Sequence, residues 1–214
     1  MNNLNNKKLT VLSLLCAMAY LLMVTIKIPI ILFLKYEPKD IIITLGGFLY
    51  GPAASVIISS VVSVLEMFTA SDTGIIGLIM NILASCSFAC TAAWIYHKNP
   101  SQRSAFFGLL AGTACLTVTM LVWNYVFLPI FLHFPRAEVA KLLFPAILPF
   151  NLLKGSLNTA LLLLLYRHVL KALTTSGLLS ASSPKPAGKN WLTVTAVFLL
   201  LTCLLVAAAL RGWL

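Results

Sequence analysis

Charged and amide side chains stand inside long apolar runs of this 214-residue chain, among them Glu66, Asn124, Asn151, Lys154 and Asn158. Burying such groups in hydrocarbon is expensive, so each is a functional candidate. Lys154 closes the run Pro149-Phe150-Asn151-Leu152-Leu153-Lys154. For a helix beginning near Pro145, a rise of 1.5 Å per residue places it about 13 Å deep. Asn151, three residues earlier, and Asn158, four later, share its helix face. Asn124 lies about eight residues before the outer end of its own helix, or roughly 12 Å deep by the same rise. Asn124, Asn151 and Lys154 can therefore converge on one site in the outer half of a membrane, and Glu66 falls within about two helical turns of that surface. Amides supply both donors and acceptors, and an ammonium adds charge-assisted bonds. Such a site suits a polar solute entering from outside. Other roles fit the same residues: an Asn can bond a neighbouring helix, Lys154 can form a structural ion pair with Glu66, and Trp123, Tyr125 and Phe127 can be ordinary packing.

The elements that must carry these residues follow from composition. Sixty per cent of the chain is hydrophobic and 9% charged, against roughly 25% charged in a soluble domain. A soluble single core and a disordered chain are both excluded. At roughly 20 apolar residues per span, the length accommodates an all-α integral membrane protein and no separate extramembrane domain. The first apolar run follows Lys7-Lys8 and reaches about Ile26. A signal peptide competes with a first span here, but Leu15 before Cys16 is too large for a lipoprotein cleavage site, and the remainder of the chain is also apolar. A polar segment at 35–40 precedes a short second helix, 41–50, closed by Gly51-Pro52. Further helices are expected at 53–70, 75–96 and 104–132, with Gly108 and Gly112 forming a close-approach pair in the last of these. A sixth helix runs from Pro145 or Pro149 to Tyr166-Arg167-His168. A Ser/Pro/Gly/Lys linker at 174–190 then leads to a seventh apolar run, 191–210. The expected organisation is a six-helix membrane domain over 1–173, the linker, and an additional C-terminal transmembrane helix within 191–214.

The chain has 15 Lys and Arg against five Asp and Glu, a formal charge of +10. With a cytoplasmic N-terminus, the cytoplasmic segments carry eight basic residues and no acid, and the external ones six basic and four acidic. The positive-inside rule favours that orientation, and topology accounts for most of the basic excess; no nucleic-acid partner is expected. The five cysteines, Cys16, Cys86, Cys90, Cys115 and Cys203, sit in apolar runs with no metal-binding or disulfide spacing.

Several stretches resemble the substrate-binding (S) components of energy-coupling factor (ECF) vitamin transporters, and among them the riboflavin-specific members. They are Phe33-Leu-Lys-Tyr-Glu-Pro-Lys-Asp-Ile41, Gly46-Gly-Phe-Leu-Tyr-Gly-Pro52, Glu66-Met-Phe-Thr-Ala-Ser-Asp-Thr-Gly74, Gly77-Leu-Ile-Met-Asn81, Asn124-Tyr-Val-Phe-Leu-Pro129 and Pro149-Phe-Asn-Leu-Leu-Lys-Gly155. The resemblance spans residues 8 to about 172 and is most specific at Asn124-Tyr and Pro149-Phe-Asn-x-x-Lys-Gly. It implies a six-helix S-component bundle that captures a vitamin from outside under a closing first loop. It implies Asn124, Asn151 and Lys154 as polar flavin contacts, with Tyr36, Glu37, Asp40, Glu66 and Asn81 as further ligand-binding candidates. It also implies riboflavin as transported ligand rather than cofactor, a membrane scaffold subunit and two cytoplasmic ATPases as partners, and residence in the cell membrane among its lipids. The flavin pyrimidine edge alternates carbonyl acceptors with an N–H, which amides and an ammonium match.

Two features depart from that pattern. Ser13 and Ala17 are the nearest match to the small residues, four apart, by which the first helix would dock on the scaffold, and Leu21 follows them. The run 191–210 exceeds six helices; it is expected outside the binding site, the alternative being that it packs into the bundle. No Walker A pattern exists, since Lys154-Gly155-Ser156 is in the wrong order and Gly188-Lys189 precedes Asn190. ATP hydrolysis must then come from partners, and the chain is expected not to be an enzyme. The alternatives are an S component for another vitamin, such as a thiamine precursor or pantothenate, and an intramembrane enzyme pairing Glu66 with a histidine. His97, His133 and His168 all fall at helix ends, away from that carboxylate. A solitary secondary transporter would show an internal repeat, and none is evident.

Overall fold

A computed structural model describes residues 2–31, 34–70, 74–132, 135–175 and 191–210. Helix α1 (Asn2–Thr25) leads into an antiparallel hairpin, β1 (Ile28–Ile31) and β2 (Leu34–Tyr36), which pairs Ile28 with Tyr36 and Ile31 with Leu34. Then follow α2 (Lys39–Tyr50), α3 (Pro52–Thr69), α4 (Gly74–Lys98), α5 (Gln102–Leu132), the short α6 (Arg136–Leu142), α7 (Leu148–Thr175) and α8 (Trp191–Leu210). A single π-turn, Leu143–Ile147, joins α6 to α7. The fold is the all-helical membrane bundle expected. Among the described residues, five helical stretches are long and apolar enough to cross a membrane, the last running from Arg136 to Tyr166 through the π-turn.

Local chemistry sets these boundaries. Gly51 closes α2 at φ +93°, a conformation that L side chains rarely adopt, and Pro52 opens α3 at its first turn, where a missing N–H costs nothing. Pro145 lies within the π-turn and Pro149 two residues beyond it; prolines cannot donate to the preceding turn, and the ladder widens there. The hairpin was not anticipated. Its strands are four and three residues long, and Pro29 breaks the alternation by which a strand is recognised. Of the turn expected at Ser71-Asp72-Thr73-Gly74, the first three residues lie outside the described residues, as do His133 and most of the 174–190 linker, whereas Gly74 opens α4 and Thr174 and Thr175 still belong to α7.

The bundle is held by close backbone approach. A Cβ on Gly112 would stand 2.6 Å from the Phe88 carbonyl oxygen, and one on Gly108 would stand 2.8 Å from that of Ala92. The glycine pair thus presses α5 against α4, where Ala89, Ala92 and Ala93 are fully buried. Gly155 of α7 meets Thr113 of α5 in the same way. Outward positions are apolar too: Val118 and Val122 are about as exposed as surface residues become, while Leu109 and Leu116 on the same helix are sealed inside. That all-round apolarity is what a lipid solvent requires.

Replacing Gly112 by Leu drives a side chain into the Phe88 carbonyl. The expected result is a loss of at least the 1–3 kcal/mol typical of about one overpacked side chain, read as a lower unfolding temperature in detergent. Ala111→Leu, half-buried on the neighbouring position, should cost less.

Candidate functional site

Alternating helix direction brings the hairpin, the C-terminal ends of α3 and α5 and the N-terminal ends of α4 and α7 to one end of the bundle. A cavity of about 390 Å³ lies among them, within the usual size for small-molecule sites. Its wall takes Leu34, Lys35 and Glu37 from the hairpin region, Glu66 from α3, Asn81 from α4, Trp123 and Asn124 from α5, and Asn151 and Lys154 from α7. Lys27, Met80, Met120, Phe127 and Phe150 complete much of the remainder.

The polar groups are held by their own helices. Asn124 donates from Nδ2 to the Met120 carbonyl at 2.7 Å, and Asn151 donates to that of Ile147 at 2.8 Å. Each bond fixes the amide and uses one of its donors, leaving an acceptor and a second donor for a solute. Trp123 and Phe127 stack at 3.9 Å between ring centroids, with 21° between their planes. Both rings line the cavity and flank Asn124 on α5, giving it a flat apolar surface. The arrangement is chemically complementary to a planar, largely apolar solute with a donor–acceptor edge.

Beneath the wall lies a set of paired charges. Lys154 Nζ stands 3.0 Å from Asp40 Oδ2, and Asp40 also accepts from Ser85 Oγ at 2.5 Å and from Asn158 Nδ2 at 3.4 Å. Lys39 bonds Glu66 directly and lies 2.9 Å from Glu37, which in turn faces Lys27 at 3.9 Å. Three lysines therefore balance three carboxylates. Tyr36 donates to Asn158 Oδ1 at 2.9 Å, tying the hairpin to the same set. Burial, with the Asp40 carboxylate nearby, pushes the Tyr36 hydroxyl above its ordinary range and keeps it a donor.

Of the residues singled out in the sequence, Asn124, Asn151, Lys154, Glu37, Glu66 and Asn81 all reach the cavity. Tyr36 and Asp40 do not appear on its wall: both are buried behind it, Asp40 completely. The ion pair considered between Lys154 and Glu66 is not formed. Lys154 takes Asp40, because Lys39 already occupies Glu66. Lys39, within the polar segment 35–40 expected to precede the second helix, is 1% exposed at the start of α2. Its position one residue before Asp40 in a charged run concealed that it turns inward. The expected lid, 35–40, is thus divided: its first residues belong to β2, and Lys39 and Asp40 to a helix. Ser13 and Ala17 lie exposed on α1, with Leu21 exposed beyond them. His97 contacts the Gly47 carbonyl and His168 that of Leu164, both at the bundle end far from the cavity.

Comparison with known proteins agrees with this geometry. The sequence model of the family described as "ECF transporter, substrate-specific component" matches residues 7–166. The riboflavin transporter RibU of Staphylococcus aureus (strain TCH60) is 33% identical over 179 residues, covering 79% of this chain and 93% of that protein. The riboflavin transporter FmnP of Bacillus subtilis (strain 168) is 31% identical, covering 75% and 90%. A solved S component of a bacterial ECF transporter superposes with a TM-score of 0.68 at 32% identity, covering 79% of this chain and 98% of that one.

The Lys154–Asp40 pair makes a separable prediction about stability. Lys154→Met strands the fully buried Asp40 carboxylate and should destabilise by about 3–5 kcal/mol. Adding Asp40→Asn should recover most of that loss. Unfolding temperatures of the parent, both single variants and the double variant measure the coupling; a double variant no more stable than Lys154→Met would show that the pair does not act as one unit.

Proposed function

The chain belongs to the ECF transporter family of substrate-specific components, and from that premise we propose that it captures riboflavin from outside the cell for ATP-driven uptake. The observation that carries this reading is the convergence of Asn124, Asn151 and Lys154 with the stacked Trp123 and Phe127 on the wall of one cavity. Riboflavin matches both halves of that wall. Its fused ring is flat and apolar and gains most from the aromatic and aliphatic surface. Its pyrimidine edge presents carbonyls to the Lys154 ammonium and to amide donors, and an N–H to an amide oxygen. Glu37, Glu66 and Asn81 supply further polar wall, and Asp40 and Tyr36 act from behind it by holding Lys154 and Asn158. The relatives named riboflavin transporters support the same substrate.

In this reading the protein is a multi-pass cell-membrane subunit with its N-terminus in the cytoplasm, so the cavity opens to the outside. It works with a membrane scaffold and two cytoplasmic ATPases. The exposed Ser13–Ala17 face of α1 is the proposed docking surface for the scaffold. The hairpin, which contributes Leu34 and Lys35 to the cavity wall, covers the bound vitamin.

Riboflavin titrated into the purified protein should bind with quenching of its fluorescence. Asn151→Ala removes the amide oxygen and the second N–H that the Ile147 bond leaves over, and affinity should fall by about 1–3 kcal/mol with little change in unfolding temperature. Unchanged affinity in Asn151→Ala and Asn124→Ala together would remove this site assignment, whereas tight binding of a thiamine precursor or pantothenate and none of riboflavin would replace the substrate.

A further inference from the structure

Helix α8 lies beyond the family match, which ends at residue 166. It does not touch the cavity, yet it is not merely appended to the bundle. It runs along α7 with Ala196 and Cys203 turned inward and buried. Near the cavity end, Cys203, Leu199, Leu200 and Ala207 join one apolar cluster with Ile30 and Tyr36 of the hairpin and with Phe150, Leu153 and Leu157 of α7. The same two elements supply the cavity: Leu34 and Lys35 from the hairpin, Asn151 and Lys154 from α7, with Leu34 and Phe150 shared between the cluster and the wall.

A two-stranded hairpin is at best marginally stable alone. This one has an irregular register between Pro29 and Ile31 and needs an apolar surface to hold it. Its own partner for that purpose is Tyr36, 4% exposed, whose ring packs in the α8 cluster. The Tyr36 hydroxyl then reaches Asn158, Asn158 reaches Asp40, and Asp40 holds Lys154. Tyr36 is thus the joint between an apolar support and the polar chain that ends on the cavity wall.

We propose that α8 is a brace that holds the β1–β2 hairpin closed over the cavity and so sets how long a bound solute is retained. The brace stands on contacts within this chain; its effect on retention rests on the riboflavin reading above. Loss of the brace leaves every cavity residue in place, so the solute still binds. It lets the hairpin open more often, which speeds release far more than it changes association.

The test uses the full-length protein in lipid nanodiscs beside three variants. One ends at Leu173, one carries Leu200→Ala with Cys203→Ala, and one carries Leu204→Ala, a position whose side chain is 55% exposed on the lipid side of α8. In solute-free protein, backbone hydrogen exchange at Ile28–Tyr36 should rise about tenfold in the first two and stay unchanged in the third. With riboflavin, stopped-flow fluorescence should show release about tenfold faster in the same two variants, with association altered less than about twofold. The double substitution answers the question even where the shortened chain fails to fold. Unchanged exchange in the hairpin overturns the brace, and means that lipid tails serve the hairpin as well as α8 does. Faster exchange without any riboflavin binding by the parent leaves the brace standing and overturns the substrate.

Discussion

Everything at the cavity end depends on keeping six charges inside an apolar bundle. Lys27, Lys39 and Lys154 against Glu37, Asp40 and Glu66 form a neutral set, with Lys39, Asp40 and Glu66 at most 5% exposed. Each ion alone would cost several kcal/mol to desolvate. Paired and further hydrogen-bonded by Ser85 and Asn158, they fix the relative positions of α2, α3, α4 and α7. A sliding or rotation of any one helix would strand a partner. The set is therefore better regarded as a register device than as a source of net stability, and Asn151, one turn before Lys154 on α7, inherits its placement from it.

The opposite half of the bundle has the opposite character. There glycines and alanines let α4 and α5 approach to backbone contact, and Tyr96 and Tyr166 share a 2.5 Å hydrogen bond under Phe48. At Gly108 and Gly112 not even a methyl fits between α5 and the α4 backbone. The helices separate only toward the hairpin end, where Met80, Met120, Trp123 and Phe150 replace the small residues and leave a cavity between them. Tight packing at one end and bulky, partly packed walls at the other are what make the site open on one side alone.

The sequence was informative where the membrane made a residue conspicuous. Asn124, Asn151 and Lys154 stood out because each interrupts an apolar run, and helix depth placed all three at one level, where the cavity lies. Helices α2 to α5 were legible within two residues for the same reason, that lipid demands long apolar segments, whereas α7 runs on to Thr175 and the short polar α6 was not expected. What stayed hidden lay in short polar stretches, where burial has no periodic signature. Lys39 and Asp40 read as solvent-facing because they adjoin Lys35 and Glu37, and only the fold shows them enclosed by α3, α4 and α7. Pairing also escaped. From Glu66 and Lys154 alone the simplest ion pair joins those two, and an unrecognised Lys39 changes every partner.

The neutrality of the charge set also limits what the cavity can hold. Lys154 lines the cavity with its charge already met by Asp40 at 3.0 Å, and Glu66 with its charge met by Lys39. A neutral heteroaromatic can take hydrogen bonds from the ammonium and the amides without disturbing either pair. A solute with a full charge at the same depth would have to draw Lys154 away from a carboxylate that has no water to turn to, at the cost of a buried unpaired ion. A neutral, flat and edge-polar solute leaves these pairs intact, whereas Lys35, also on the wall and outside the paired set, offers a cation to a solute that carries negative charge. Keeping the pairs intact, more than the count of contacts, connects the buried charges of α2, α3 and α7 to the choice of ligand.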